Sequence, residues 1–348
     1  MVYHGRFRLL HTAAFFTSRA YSAFAYPAGS AVIYRAFYRA SSPTDVYLLF
    51  SLLVTSVAIV GLAVFLWRAG ELRMLLLLIV AISYPLVFLI QRANIEIVLF
   101  VFTAAAVLLA RRDAALAAAV LIGLCAAVKL YPILLLGLFL SRRKDVPAFF
   151  VGLGVFLLSL GAAIAWTGPT FFIAANGYIS GVGHFQEHYV NTVSRTEMIW
   201  DHCFFVPVKS WAYQNHASTA PYLRTYYLLA AATALLLFLR VRTLAFLNRA
   251  TFLSVAMVAL PPVSFSYTLV HLYVPIALLL GALWGPLRTA TATALSSLAL
   301  LLLVCIPLPS ADGLLFLRSG VLQSAALIVV ALLSCIAAWP SGVAADAR

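Results

Sequence analysis

Charged side chains are scarce in this sequence. Asp, Glu, Lys and Arg together make up 9% of 348 residues, against 64% hydrophobic residues and a mean hydropathy of +1.04. Such a chain needs a nonpolar solvent around it, which excludes a soluble globular enzyme and points to a polytopic membrane protein. Acids are the rarer sign, 10 Asp+Glu against 23 Lys+Arg, and residues 1–44 contain none. The resulting charge of +13 reads as loop anchors and phosphate partners. No basic stripe with interleaved aromatics is present, so no nucleic-acid partner is expected. Of the four cysteines, Cys125, Cys305 and Cys335 fall in apolar runs and Cys203 in a polar stretch, so no disulfide framework is indicated. A signal-peptide pattern is missing too, because Arg6, Arg8, Arg19, Arg35 and Arg39 interrupt every apolar run in the first 44 residues. Neither an internal repeat nor a separate soluble domain stands out, and residues 1–348 read as a single integral membrane domain.

Apolar runs fill what remains. They lie at about 46–67, 74–91, 94–110, 114–128, 131–141, 147–166, 222–240, 250–269, 271–285, 289–307 and 318–339. The fold class is therefore all-α, a polytopic bundle of about eleven hydrophobic segments. Arg68, Arg73, Arg111, Arg112, Arg142, Arg143, Lys144, Arg240, Arg242, Arg249 and Arg288 then share one face, which the positive-inside rule makes cytoplasmic. Residues 1–44 become an extracytoplasmic tail carrying an interfacial helix at 28–39, and 167–221 one long extracytoplasmic loop. The multi-pass chain is expected in the cell membrane, a bacterial plasma membrane, with its active face outside.

Polar groups gather on that outer side. Gln91-Arg92-Ala93-Asn94-Ile95-Glu96 opens an apolar helix whose run spans roughly 25 Å before Arg111-Arg112-Asp113 closes it. Asn94 as a cap, Glu96 at the positive helix end and Arg92 paired with Glu96 explain the first group structurally. The functional reading has Arg92 and Asn94 bind a phosphate or a sugar hydroxyl, with Glu96 orienting them. Runs 114–128 and 131–141 are each short for a span and suggest a hairpin with Lys129 at its tip. Burying that lysine costs roughly 2.5–3.5 kcal/mol on insertion scales, which makes a compensating anion attractive. Ala119, Gly123 and Ala127 leave room for close helix approach. Pro261-Pro262 and Pro275 break the later runs and free backbone groups that need protein or a wet cavity opposite them. Ser264, Ser266, Tyr267, His271 and Tyr273 cluster at that break, either to satisfy it or to bind acceptor hydroxyls.

In the long loop, His184 and His188 stand four residues apart, with Glu197 or Asp201 needed to complete any metal shell. Solvated loop histidines are the default, and neither a metal nor a cofactor is expected. Trp200, Trp211, Tyr178, Tyr189 and Tyr213 suit stacking on a sugar ring or packing of the loop on the membrane.

Four motifs carry a family resemblance: Phe24-Ala25-Tyr26-Pro27, Gln91 through Glu96, Gly123 through Lys129-Leu130-Tyr131-Pro132, and Pro261-Pro262-Val263-Ser264-Phe265-Ser266-Tyr267. In this order the chain resembles the polyprenol-phosphate-mannose-dependent mannosyltransferases of glycosyltransferase family 87, whose fold is the GT-C membrane bundle. The resemblance implies transfer of a hexose, mannose being the expected sugar, from a polyprenyl-phosphate donor to a glycan or glycolipid hydroxyl at the outer face. Carried over by position, Arg92, Asn94 and Lys129 match the family's polar motif positions; together with the readings above, Lys129 and Arg92 are expected on the donor phosphate, and Asn94, Glu96, Tyr131, Ser264, Tyr267 and His271 around the substrates. The family pattern also has an earlier helix and an acidic residue ahead of the Tyr-Pro segment, and here residues 1–44 hold no acid. Either the reading frame starts upstream or the usual base is missing, with Glu187, Glu197 and Asp201 as stand-ins. A lipid or solute transporter is the rival reading, and a noncatalytic membrane subunit the third. One-sided clustering of polar groups and the absence of related halves favour the enzyme.

Overall fold

The computed structural model describes residues 5–17, 26–37, 83–91, 94–191, 200–284, 292–305 and 314–336, with Thr44, Leu53, Ser56 and Met198 besides. Most of the runs expected at 46–67 and 74–91, and the site candidates Arg92 and Glu197, lie outside the described residues. Among those described, every regular element is helical, and extended pairing is limited to one antiparallel bridge between Asp201 and Phe265. The helices are α1 (Ala28–Phe37), α2 (Tyr84–Gln91), α3 (Glu96–Arg111), α4 (Ala115–Val128), α5 (Val146–Thr167), α6 (Phe171–Gln186), α7 (Val206–Gln214), α8 (Ala220–Val241), α9 (Phe246–Ala259), α10 (Tyr273–Trp284), α11 (Ala292–Cys305) and α12 (Leu314–Ile336).

Two of these are long and apolar enough to cross a bilayer by themselves, α5 with the turn before it (Arg143–Thr167) and α8. Their outer flanks expose Phe150, Leu157 and Leu158 on α5 and Leu228, Leu229 and Leu235 on α8. An apolar flank of this kind turned outward is stable only against lipid or a partner surface.

The hairpin around Lys129 is built by matching two kinds of helix. Helix α3 ends in a turn where Ala114 N donates to Leu109 O at 2.9 Å and Asp113 takes the left-handed conformation, φ 60°. That closes the last carbonyls of α3, and Asp is among the few residues that tolerate the geometry. Helix α4 then runs 14 residues, about 21 Å, and the chain returns through Tyr131–Leu140. The return segment, expected as an α-helical run, is a 3-10 helix. Its tighter winding rises about 2.0 Å per residue, so ten residues cover the same length as α4. Consequently Arg142 meets Asp113 in an ion pair, Lys144 lies 3.8 Å from the same carboxylate, and Lys129 is left at the opposite end. Phe149 of α5 touches Phe238 of α8 with ring centroids 6.2 Å apart, which brings Arg240 to the Asp113 end as well.

Small residues set the close approaches. Gly123 faces the backbone of α5 at Gly152, and a Cβ at Gly29 of α1 would overlap the Ala127 carbonyl of α4. Helix α1 buries Ala28, Ser30, Ala31 and Tyr34 and packs on α4 and α5, so it is seated in the bundle.

The 250–269 run is interrupted as Pro261-Pro262 requires: α9 ends at Ala259, and a 3-10 helix, Ser266–Leu272, leads into α10. The freed backbone groups need protein or a wet cavity opposite them, and a cavity opening to the outer face was one way to meet that need. Protein does so instead: Phe204 N donates to Ala259 O at 2.7 Å, His202 N to Ser264 O at 3.0 Å, and Ser264 N to Asp201 Oδ1 at 2.9 Å. The segment 167–221 is likewise more structured than a loop, holding α6, a π turn over Glu187–Asn191 and α7.

His202 belongs to this stitched break. Burial pushes its imidazole down to about 4, against the opposing pull of Asp201, and the ring Nε2 lies 3.2 Å from Ser264 Oγ and 3.3 Å from Thr268 Oγ1. The folded pKa lies below the unfolded one, so the contribution to stability is complete above about 6.5 and is lost as pH falls toward about 4. Melting in detergent should register a loss of about 3 kcal/mol across that window. His202→Asn should flatten it.

Candidate functional site

A fully buried carboxylate organises the end of the bundle at Lys129. Glu96 sits in the first turn of α3 with no solvent exposure, where the helix N-terminus favours its negative charge. One carboxylate oxygen, Oε2, takes the Lys129 ammonium as an ion pair. The other, Oε1, accepts the Tyr131 hydroxyl proton and lies 2.7 Å from His271 Nε2. His271 Nδ1 is in turn 3.0 Å from Thr103 Oγ1, one helical stretch further along α3. Asn94 Oδ1 caps the helix by accepting from Glu96 N at 3.1 Å, and also accepts from Lys129 Nζ at 3.3 Å.

The chain places these groups by three local devices. Asn94 starts α3 by accepting from Glu96 N, which fixes Glu96 in the first turn of the helix. Lys129 takes an extended conformation at the end of α4, φ −141° and ψ 135°, so the backbone leaves the helix there and Tyr131 begins the 3-10 return beside it. His271 projects from the 3-10 segment created by the proline break. Two buried charges persist in an apolar bundle only when paired and hydrogen-bonded, and Glu96 and Lys129 meet both conditions.

Lys129 has three protons to donate. Among the described residues two go to Glu96 and Asn94, which leaves one. Its Nζ stands 5.0 Å from the Tyr267 ring centroid, 5.4 Å from Tyr26 and 5.9 Å from Tyr131, an aromatic enclosure suited to a cation. Outward from Tyr267 the rings continue through Phe88 to Trp200, with stacked centroids 6.0 and 4.9 Å apart, and Tyr84 stacks on Trp200 at 5.4 Å.

The expected site residues thus divide. Asn94, Glu96, Lys129, Tyr131, Tyr267 and His271 meet in one cluster. Ser264 belongs to the neighbouring His202–Thr268 group, its Oγ 2.9 Å from Thr268 Oγ1. Asp201 is buried, and its carboxylate is taken up by Lys209 Nζ at 2.6 Å and by the backbone N–H groups of Cys203 and Ser264. Glu187 is exposed and accepts from Asn191 Nδ2 at 2.7 Å, and His184 and His188 are exposed. No group of three metal-binding side chains occurs among the described residues. Sequence reasoning passed over Thr103 and Lys209. The sequence holds three lysines, and two of them, Lys129 and Lys209, are buried in ion pairs. A lysine within or beside an apolar run was the available signal.

Beside the cluster, α1, α3, α4 and α5 enclose an apolar groove of about 470 Å³. It runs along α4 from Leu121 to Val128, the residue before Lys129, and Val32, Phe102 and Leu124 on its walls are exposed at the outer flank. The groove therefore opens sideways and reaches Val128, next in sequence to Lys129.

An all-helical membrane protein with a buried, paired cation beside an apolar groove is the class that fold and site define. The sequence profile of glycosyltransferase family 87 matches residues 24–201, and the chain belongs to that family. It is accordingly a membrane glycosyltransferase. No curated protein and no solved structure matches the chain.

Proposed function

We propose that this glycosyltransferase moves a hexose, mannose, from a polyprenyl-phosphate donor to a glycan or glycolipid hydroxyl at the extracytoplasmic face of the plasma membrane. The observation that carries the reading is the apolar groove between α1, α3, α4 and α5, which reaches Val128 beside the buried Lys129. A prenyl chain lies in the groove, and its phosphate meets the remaining ammonium proton between the tyrosine rings. Transfer breaks the bond between the anomeric carbon and the phosphate oxygen, and the acceptor oxygen forms the new bond as its proton passes, directly or through water, to the departing polyprenyl phosphate. Charge grows on the leaving phosphate, and a fixed cation in a poorly hydrated site stabilises that charge more than the ground state. Glu96, Asn94 and His271 keep the cation aimed without moving in the reaction. The half-buried Tyr84 and Trp200, at the far end of the aromatic ladder from Tyr267, offer apolar ring surface to sugar C–H groups on the way in.

Membranes containing the full chain, supplied with polyprenyl-phosphate [³H]mannose and a lipid-linked glycan acceptor, should transfer label to the acceptor. Polyprenyl-phosphate glucose in the same assay separates the sugar from the donor class. Solute uptake by sealed vesicles with no glycosyl transfer would overturn the enzyme reading in favour of transport.

A further inference from the structure

Helix α6 lies in the segment that follows the spanning helix α5, and none of its 16 residues is Asp, Glu, Lys or Arg. Its one buried stripe, Ala174, Tyr178 and Gly181, rests on the N-terminal segment, where Phe16 meets the Tyr178 ring at 5.3 Å. The opposite side carries Phe172, 78% exposed, Ile179, 70%, and Val182, 53%. Large apolar side chains this open on an uncharged helix require a nonpolar neighbour.

The position of both ends fixes the helix direction. Helix α5 starts at the Asp113–Arg142 end and rises about 33 Å, so Trp166 and the start of α6 lie at the Lys129 end. After α6 the chain reaches Tyr189, whose ring touches Phe265 at 6.1 Å, and Phe265 touches Tyr267 beside Lys129. A helix about 24 Å long that starts and ends at the same end of the bundle runs across it, not through it. Its exposed side continues the lipid-facing flank of α5 across the turn at Gly168-Pro169, with half-exposed Trp166 at the junction, where tryptophan favours the membrane interface.

We infer that α6 lies in the outer membrane interface, its Phe172–Ile179–Val182 side sunk among lipid headgroups and upper acyl chains. The partner is the bilayer itself, and the covering segment that reaches the site through Tyr189 and Lys209 is moored to it. An interfacial helix sits about 5–10 Å into the headgroup–acyl boundary.

Single cysteines at Phe172, Ile179, His216 and Leu158 test this, because the native free cysteines Cys125, Cys203, Cys305 and Cys335 are all buried. Each variant is labelled with bimane and reconstituted in phosphatidylethanolamine–phosphatidylglycerol vesicles containing lipids brominated at graded acyl depths. Labels at 172 and 179 should be quenched by the shallowest bromines, at a depth of about 5–10 Å. The label at 216 should escape quenching, and that at 158 should respond to the deepest bromines. Quenching of 172 and 179 by iodide in water with none by lipid would overturn the inference, as would a depth equal to that at 158. Carbene photolabelling of the unmodified protein from within the same vesicles, mapped by proteolysis, gives the same decision should a variant misfold: label in 171–186 supports the placement, and an unlabelled segment sinks it.

Discussion

Lys129→Ala will abolish sugar transfer from the lipid-phosphate donor, lowering turnover by about a hundredfold or more, the scale seen when one preorganised charge-stabilising donor is removed. The direction follows from the geometry: Lys129 directly follows Val128 of the groove, and its Nζ lies 5.4 and 5.0 Å from the Tyr26 and Tyr267 ring centroids. The single variant carries a complication that physics predicts. Without Lys129 the Glu96 carboxylate is buried and unpaired, and breaking a buried pair costs about 3–5 kcal/mol. Lys129→Met with Glu96→Gln removes both charges, while the amide oxygen introduced at position 96 still accepts from Tyr131 and His271. The double variant should therefore melt close to the wild type and still transfer nothing, which separates chemistry from folding. Wild-type turnover in a well-folded double variant would end the phosphate role of Lys129. A donor-binding measurement sharpens the result, since loss of turnover with retained donor affinity would place the contribution of the lysine in the transition state alone.

The centre of this site was legible in the sequence because its residues are improbable where they stand. A lysine at the end of an uncharged run, a glutamate in the first turn of an apolar helix, and a double proline followed by polar residues each violate the local pattern, and such violations gather where a fold does something besides pack. What the sequence could not convey was the direction of each side chain. Glu96 read as an orienting group at a helix mouth, whereas it is the hub on which Lys129, Tyr131 and His271 converge across 175 positions of chain. Contacts of that separation leave no trace in periodicity. The 3-10 return of Tyr131–Leu140 was hidden for a related reason: an uninterrupted apolar stretch has no alternation to betray its period, and only the need to match the length of α4 selects the tighter winding. Helix α6 was read as part of a loop because its Gly, Ser and Asn residues dilute the apolar signal below that of a span. Its burial stripe emerges once the N-terminal segment is seen to lie beneath it.

Asp201→Ala will destabilise the protein by about 3–5 kcal/mol, because it strands the buried Lys209 ammonium and withdraws the acceptor from two backbone N–H groups. That loss would remove activity whatever the role of the carboxylate, so the decisive variant is Asp201→Asn combined with Lys209→Met. The amide oxygen introduced at position 201 still accepts from Cys203 N and Ser264 N, 3.1 and 2.9 Å from the carboxylate in the wild type, and no charge is left unpaired. We expect this double variant to melt near the wild type and to transfer sugar at a comparable rate, because Asp201 ties the segment after the loop to the proline break and does no proton transfer. A base needs a free oxygen within hydrogen-bond reach of the acceptor hydroxyl. Asp201 gives Oδ2 to Lys209 and Oδ1 to two amides, and its side chain is 2% exposed, so an incoming sugar finds no oxygen to approach. A folded, inactive Asp201→Asn/Lys209→Met protein whose rate is restored by an added small base would reverse this assignment and make Asp201 the stand-in base. Normal transfer moves the search for that base to the groups around Trp200 and Tyr84, where the aromatic ladder meets solvent.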